Sequence, residues 1–76
     1  MSRLPSCTAT QVIRVLKRAG FVFDHATGSH QAFRRPGHPG SVVVAFHRGK
    51  LKRGTLNGIL KQAGLTPEGF IKLLRG

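Results

Sequence analysis

The sequence predicts an α+β domain of order α-β-β-β-α, with helices packed on one face of a three-stranded antiparallel sheet. Apolar residues recur at helical spacing near both ends of the chain, and three apolar segments of strand length lie between them. The connections between those segments are short, which favours antiparallel pairing of consecutive strands. A chain of 76 residues is long enough for one domain only, so we expect a single domain over residues 1–76.

The first helix is indicated by a stripe of apolar residues at positions i, i+3, i+4 and i+7. These residues are Val12, Val15, Leu16 and Ala19. The helix start is left open over about one turn, because Ser6, Thr8 and Thr10 all suit the N-cap position. Gly20 is well placed to end the helix.

Three strands are predicted over residues 21–25, 30–35 and 41–46. In the first strand, alternation places Phe21 and Phe23 on one face and Val22 on the other. A turn over residues 26–28 precedes the second strand, and the Pro- and Gly-rich residues 36–40 form a loop before the third. Three consecutive valines in the third strand indicate substantial burial.

A second helix is predicted after the polar loop that follows the third strand, although Asn57-Gly58 is also a favoured hairpin turn. The helix is preferred because its apolar stripe continues across this pair, and Gly64 is well placed to end it. The stripe consists of Leu56, Ile59, Leu60 and Ala63. A short third helix begins with Thr66 as N-cap and Pro67 at the first helical position. Its apolar side comprises Phe70, Ile71, Leu73 and Leu74.

The charge balance is strongly basic: 13 Lys and Arg residues oppose two acids, Asp24 and Glu68, for a net charge of +11. Repulsion of this size destabilises a small fold unless a negative partner binds, which favours nucleic acid or an acidic protein. A membrane partner is disfavoured, because no apolar run approaches the ~20 residues of a spanning helix and none follows residues 1–5 as a signal-peptide core. The single cysteine, Cys7, rules out an internal disulfide and suits a reducing, cytoplasmic location.

Four histidines are the candidates for chemistry. A metal site is not expected, because no histidine pair has the i, i+4 helical spacing and the two acids are far apart in the sequence. His38 lies in the Pro- and Gly-rich loop, so it carries little functional weight. His25 at the end of the first strand and His47 at the end of the third are weaker candidates for a role beside a nucleic acid.

His30 differs from the other histidines because it begins the second strand directly after Gly28 and Ser29. Strand alternation places His30 and Arg34 on one face and Phe33, the natural core residue, on the opposite face. An imidazole titrates near neutral pH and a guanidinium holds phosphate in a fork, so this pair suits phosphoryl chemistry. The spacing alone does not establish catalysis, because a lone histidine is more often structural or merely exposed.

Several short motifs follow one another along the chain. They are Gly20-Phe21, Gly28-Ser29-His30, Val42-Val43-Val44 followed by His47, and Gly54-Thr55-Leu56 followed by the segment 59–65. In this order and at this spacing they resemble the HicA toxin family, and the resemblance covers nearly the whole chain. It implies a fold similar to a double-stranded-RNA-binding domain, in agreement with the predicted element order.

The resemblance also implies a function, that of an mRNA-cleaving toxin of a toxin–antitoxin pair, which works without a metal or other cofactor. The active histidine of the family lies in its Gly-Ser-His triplet, which falls on His30 here. The implied partner is a HicB-type antitoxin, an acidic protein that covers the active surface.

These observations lead to the hypothesis of an endoribonuclease in which His30 transfers a proton and basic residues hold mRNA or another single-stranded RNA. The second proton-transfer group is not identified, and His25 and His47 are the accessory candidates. The residues expected to bind RNA are Ser29, Arg34, Arg48, Lys50, Lys52 and Arg53. Two alternatives stay open: a non-catalytic basic RNA-binding module, and a protein-interaction domain whose basic face serves only an acidic partner.

Overall fold

The structure, a computed structural model, describes residues 4–46 and 48–76. Its order of one helix, three strands and two helices confirms the predicted α+β class and α-β-β-β-α arrangement, with a short helix added at the end. The helices are α1 (Ala9–Arg18), α2 (Arg53–Ala63) and α3 (Pro67–Arg75). The strands are β1 (Val22–Thr27), β2 (His30–Arg34) and β3 (Val42–Ala45).

A capping box at the start of α1 selects Thr8 among the three N-cap candidates. The Thr8 hydroxyl accepts a hydrogen bond from the Gln11 amide at 3.3 Å, and the Gln11 side chain accepts one from the Thr8 amide at 2.9 Å. This reciprocal pairing satisfies two amides that the first helical turn leaves free. The helix stops just before Gly20, whose φ of +96° lies in the left-handed region that favours glycine, so the predicted stop is confirmed.

The sheet is an antiparallel meander of order β1-β2-β3, as predicted, but β1 differs from its predicted bounds. The strand starts one residue later and ends two residues later, so only Gly28 and Ser29 connect β1 to β2. Phe21 precedes the strand and is buried, so its predicted place within β1 is wrong. Phe23 shares a face with its cross-strand partner Phe33 and Val22 lies on the other face, as predicted, but Phe23 is 53% exposed. The reason is that α1 and α2 pack against β3, which leaves the edge strand β1 largely uncovered.

The core lies between the helices and one face of the sheet, as predicted. Phe33, Val42 and Val44 are buried on this face. Phe33 and Val42 are direct cross-strand partners, so their side chains point to the same side. The helices contribute most of the remaining core residues, including Val12, Val15, Leu16, Leu56, Ile59, Leu60 and Phe70.

The face of the sheet away from the helices is called the open face below. Directly opposed residues of an antiparallel pair share a face, and so do residues two apart on one strand, so the register identifies its members. They are Val22, His25 and Thr27 of β1, His30, Ala32 and Arg34 of β2, and Val43 and Ala45 of β3.

The two C-terminal helices form as their sequence signals predict. α2 continues across Asn57 and Gly58, and it ends at Gly64, whose φ is +70°. α3 begins at Thr66, whose hydroxyl accepts a hydrogen bond from the Gly69 amide at 3.0 Å. Within the described residues, none of the helices has both the length and the apolar character that crossing a membrane requires.

Candidate nucleic-acid interface

His30 lies exposed on the open face at the start of the central strand β2. Gly28, with a φ of +58°, allows the tight two-residue turn that precedes it. The cross-strand partner of His30 is Thr27 on β1 and Ala45 on β3. The Ser29 carbonyl oxygen also accepts a hydrogen bond, 2.7 Å long, from the amide of the residue that follows β3. Backbone pairing on both sides therefore holds His30 in place.

Arg34 shares the open face with His30 and is also exposed, as strand alternation predicts. Positions four apart along a strand are separated by about 13 Å, and side chains stand roughly perpendicular to a sheet. Arg34 therefore suits a neighbouring phosphate rather than the one beside His30. Ala32 lies between them and is only 3% exposed, so its small side chain does not project between the side chains of His30 and Arg34.

A second histidine, His25, also lies on the open face. It is opposite Ala32, and a β-bulge at Asp24 precedes it in the strand. The Nδ1 atom of His25 lies 2.7 Å from a carboxylate oxygen of Asp24, and the two side chains are 62% and 40% exposed. In this contact the Nδ1 atom of the imidazole faces the carboxylate at the surface of the protein. The sequence marked His25 as a candidate but gave no sign of this contact.

Three of the predicted RNA-binding cations converge in one place. Arg48, Lys50 and Lys52 line an open groove of about 330 Å³, together with Ala45 on β3 and Thr55 on α2. Since Ala45 is the cross-strand partner of His30, the groove begins directly beside that histidine. The groove lined by Arg48, Lys50 and Lys52 is named the cationic groove below. These three side chains and the His30 imidazole thus lie on one continuous surface.

The loop that carries the groove cations, residues 48–52, is held through its backbone by the segment before α1. The Leu51 amide donates a hydrogen bond to the Cys7 carbonyl oxygen at 2.8 Å, and Lys50 forms a β-bridge with Thr8. Burial raises the pKa of the Cys7 thiol above its usual value, and the Lys50 ammonium acts in the opposite direction. These contacts leave the three cationic side chains exposed while they fix the course of the loop.

The start of α2 adds positive potential near the same groove. Its N-cap, Lys52, makes no capping hydrogen bond through its side chain, and the first turn contains no acid. Amides at the start of a helix that lack such partners carry a partial positive charge that attracts anions. Arg53, by contrast, does not line the groove but a separate cavity of about 30 Å³ beside residues 4–6. The structure thus separates Arg53 from the other three loop cations.

Two further basic side chains have structural roles. The Nε2 atom of His38 lies 2.7 Å from the Gln62 carbonyl oxygen, and the His38 ring packs edge-on against Phe21 at 5.1 Å between centroids. The Arg35 guanidinium lies 4.8 Å from the centre of the same Phe21 ring and donates to the Ala19 carbonyl oxygen at 3.0 Å. Both residues close the apolar layer over Phe21 and do not contribute to the open face.

The remaining predictions on site residues concern His47 and metal binding. His47 lies outside the described residues. Across residues 4–46 and 48–76, no three His, Cys, Asp or Glu side chains lie close enough together to hold a metal ion. Among the described residues, the open face and the cationic groove together present two exposed imidazoles, one carboxylate and several cations.

A three-stranded antiparallel sheet with helices on one face, and a cationic groove beside the other face, defines a small α+β domain of the double-stranded-RNA-binding type. Residues 9–65 match the family model described as HicA toxin of bacterial toxin–antitoxin. Because this match covers well over half of the chain, the protein belongs to the HicA toxin family. It is therefore a toxin of a toxin–antitoxin system, and its partner is an antitoxin. A search of the curated proteins found no similar sequence.

Proposed function

We propose that this toxin is a metal-independent endoribonuclease that cleaves mRNA with His30 and thereby blocks translation. One observation carries the proposal: exposed His30 is the cross-strand partner of Ala45, the residue at which the cationic groove begins. The groove is suited to a polyanion, and the imidazole beside it is suited to proton transfer. The family to which the chain belongs gives independent support.

The mechanism uses the nucleophile that RNA itself carries, the 2′-hydroxyl. A metal-free enzyme must then move protons at the attacking and leaving oxygens and hold the phosphate between cations. In this proposal His30 moves one of these protons. Arg48, Lys50 and Lys52 hold the strand in the groove, and Arg34 holds a phosphate further along the open face. Ser29, exposed in the turn before His30, contacts the backbone beside the reacting phosphate.

The proposed partner is a HicB-type antitoxin with an acidic surface, which acts in the cytoplasm by covering the open face and the cationic groove. A net charge of +11 on a chain of 76 residues favours a partner of opposite charge. The same charge attracts RNA, so antitoxin and RNA compete for one surface in this proposal.

The proposal is tested with purified wild-type protein and the His30→Ala variant, incubated with end-labelled single-stranded RNA in the presence of a chelator. We expect the wild type to cut RNA and leave an all-deoxy strand of the same sequence intact. His30→Ala should lose at least about a hundredfold in cleavage rate while it retains RNA binding. Val22→Ala, which truncates another exposed side chain of the open face, serves as the matched control and should cut at the wild-type rate.

Cutting of the all-deoxy strand, or cutting of RNA at an undiminished rate by His30→Ala, would contradict the proposal. RNA binding without cleavage by the wild type would instead support the non-catalytic RNA-binding module. If the wild type neither binds nor cleaves RNA, the result would support the protein-interaction domain.

A further inference from the structure

Asp24 is in an unexpected place for an RNA-binding protein. It is one of only two acids in the chain, and it lies beside the open face, where a carboxylate repels the phosphates of bound RNA. Among residues 4–46 and 48–76, its ion-pair partner is His25 and not a Lys or Arg residue. A carboxylate that weakens substrate binding and contacts an imidazole is an arrangement suited to proton transfer.

The strand register places this imidazole next to His30. His25 is opposite Ala32, and His30 lies two residues before Ala32 on the same strand, so the two histidines are diagonal neighbours on the open face. Diagonal neighbours across an antiparallel pair are about 7–8 Å apart, within reach of ring-bearing side chains. The residues adjacent to both are the small Thr27 and Ala32, which leave room for a phosphodiester between the rings.

We infer that His25 is the second proton-transfer group of the reaction, and that Asp24 positions it. This inference rests on the proposed ribonuclease function. The Nδ1–H of His25 donates to the Asp24 carboxylate at 2.7 Å, which leaves the Nε2 atom to exchange a proton with RNA. The carboxylate has the same role as the acid that orients a catalytic histidine in a hydrolase triad.

Two imidazoles account for both proton transfers of the step. One imidazole takes the proton of the 2′-hydroxyl while the 2′-oxygen forms its bond to phosphorus. The bond between phosphorus and the 5′-oxygen breaks, and the other imidazole, protonated at the start, gives its proton to that oxygen. The products are a 2′,3′-cyclic phosphate and a 5′-hydroxyl end, and the pair of histidines carries one positive charge before and after the step.

The test measures the single-turnover cleavage rate and the RNA dissociation constant separately. His25→Ala should lower the rate by at least about a hundredfold and change the dissociation constant by less than about threefold. Free imidazole added to His25→Ala should restore part of the rate, which loss of folding would not allow. A cleavage rate within about threefold of the wild type would overturn the inference.

Asp24→Asn has a matched control in Glu68→Gln, because each variant removes one of the two negative charges of the chain. Both should bind RNA at least as tightly as the wild type, since each reduces repulsion of the phosphates. Only Asp24→Asn should lower the cleavage rate, by at least about tenfold. Equal rates for the two variants would overturn the positioning role.

The outcomes also separate the inference from the proposed function. If the wild type does not cleave RNA, both are overturned. If the wild type cleaves, His30→Ala does not, and His25→Ala cleaves normally, only the inference on His25 and Asp24 is overturned.

Discussion

Replacement of Arg48, Lys50 and Lys52 by alanine removes the cations of the groove and leaves its backbone in place. The loop is held through main-chain contacts, by the Leu51 amide on the Cys7 carbonyl oxygen and by the β-bridge at Lys50, so the substitutions do not remove these contacts. All three side chains are exposed, so their loss leaves no cavity in the core.

The expected effect follows from counterion release. Each phosphate of single-stranded RNA that a cation neutralises contributes about 0.7 to the slope of log affinity against log salt concentration. Four contacts, from Arg34 and the three groove cations, give the wild type a slope of about −2.8, or a loss of roughly 1.7 decades between about 50 and 200 mM salt. Removal of the three groove contacts reduces the slope to about −0.7, or a loss of about 0.4 decade over the same range.

The assay is fluorescence anisotropy of a labelled single-stranded RNA over a salt series, with every protein in a His30→Ala background so that the RNA survives. A control triple variant removes the same charge from exposed positions outside the groove, at Lys61, Lys72 and Arg75. The control should keep a slope near that of its parent. If both triple variants reduce the slope equally, RNA responds to net charge alone and the groove is not the binding site.

Three further predictions concern stability and are measured by chemical or thermal unfolding. Gly58→Ala should stabilise the fold by up to about 1 kcal/mol, because Gly58 is exposed within α2 and an added Cβ meets no atom. Gly64→Ala should instead destabilise the fold, because the backbone φ of Gly64 is +70°. A similar effect of both alanines would contradict this. Phe33→Ala should cost about 3–5 kcal/mol because its ring is fully buried. Phe23→Ala should cost less than half of that because its ring is half exposed, and equal costs would contradict the difference in burial between these two cross-strand partners. Burial raises the pKa of the Cys7 thiol, so the folded state holds the thiol proton more tightly than the unfolded state does. The protonated thiol therefore contributes stability that is complete below the pKa of the unfolded state and is lost as pH rises through the pKa of the folded state. Cys7→Ala should therefore lose less stability between neutral and alkaline pH than the wild type, and an identical decline would contradict the prediction.

Most of the fold could be predicted because its signals are local. A helix that begins at Thr66-Pro67 or ends at Gly64 is determined by residues within a turn of that point, and the structure has both boundaries as predicted. The bounds of β1 could not be predicted in this way. Phe21 has the high strand propensity of an aromatic residue, yet it lies before the strand, in the core, with Arg35 and His38 packed on its ring. Those contacts depend on a loop 14 or more residues away in the sequence, which propensity does not detect.

By itself, the sequence determined the excess of positive charge, the order of the elements and the face on which His30 lies. Each of these follows from composition or from the two-residue period of a strand. Only the tertiary structure decided which cations belong together. In the folded chain Arg48, Lys50 and Lys52 line a groove beside Ala45, whereas Arg53 lines another cavity. The strand register also makes His25 and His30 diagonal neighbours. The physical reason is that strand register and loop packing join residues far apart in the chain, and no local pattern encodes the distance between two side chains on different strands.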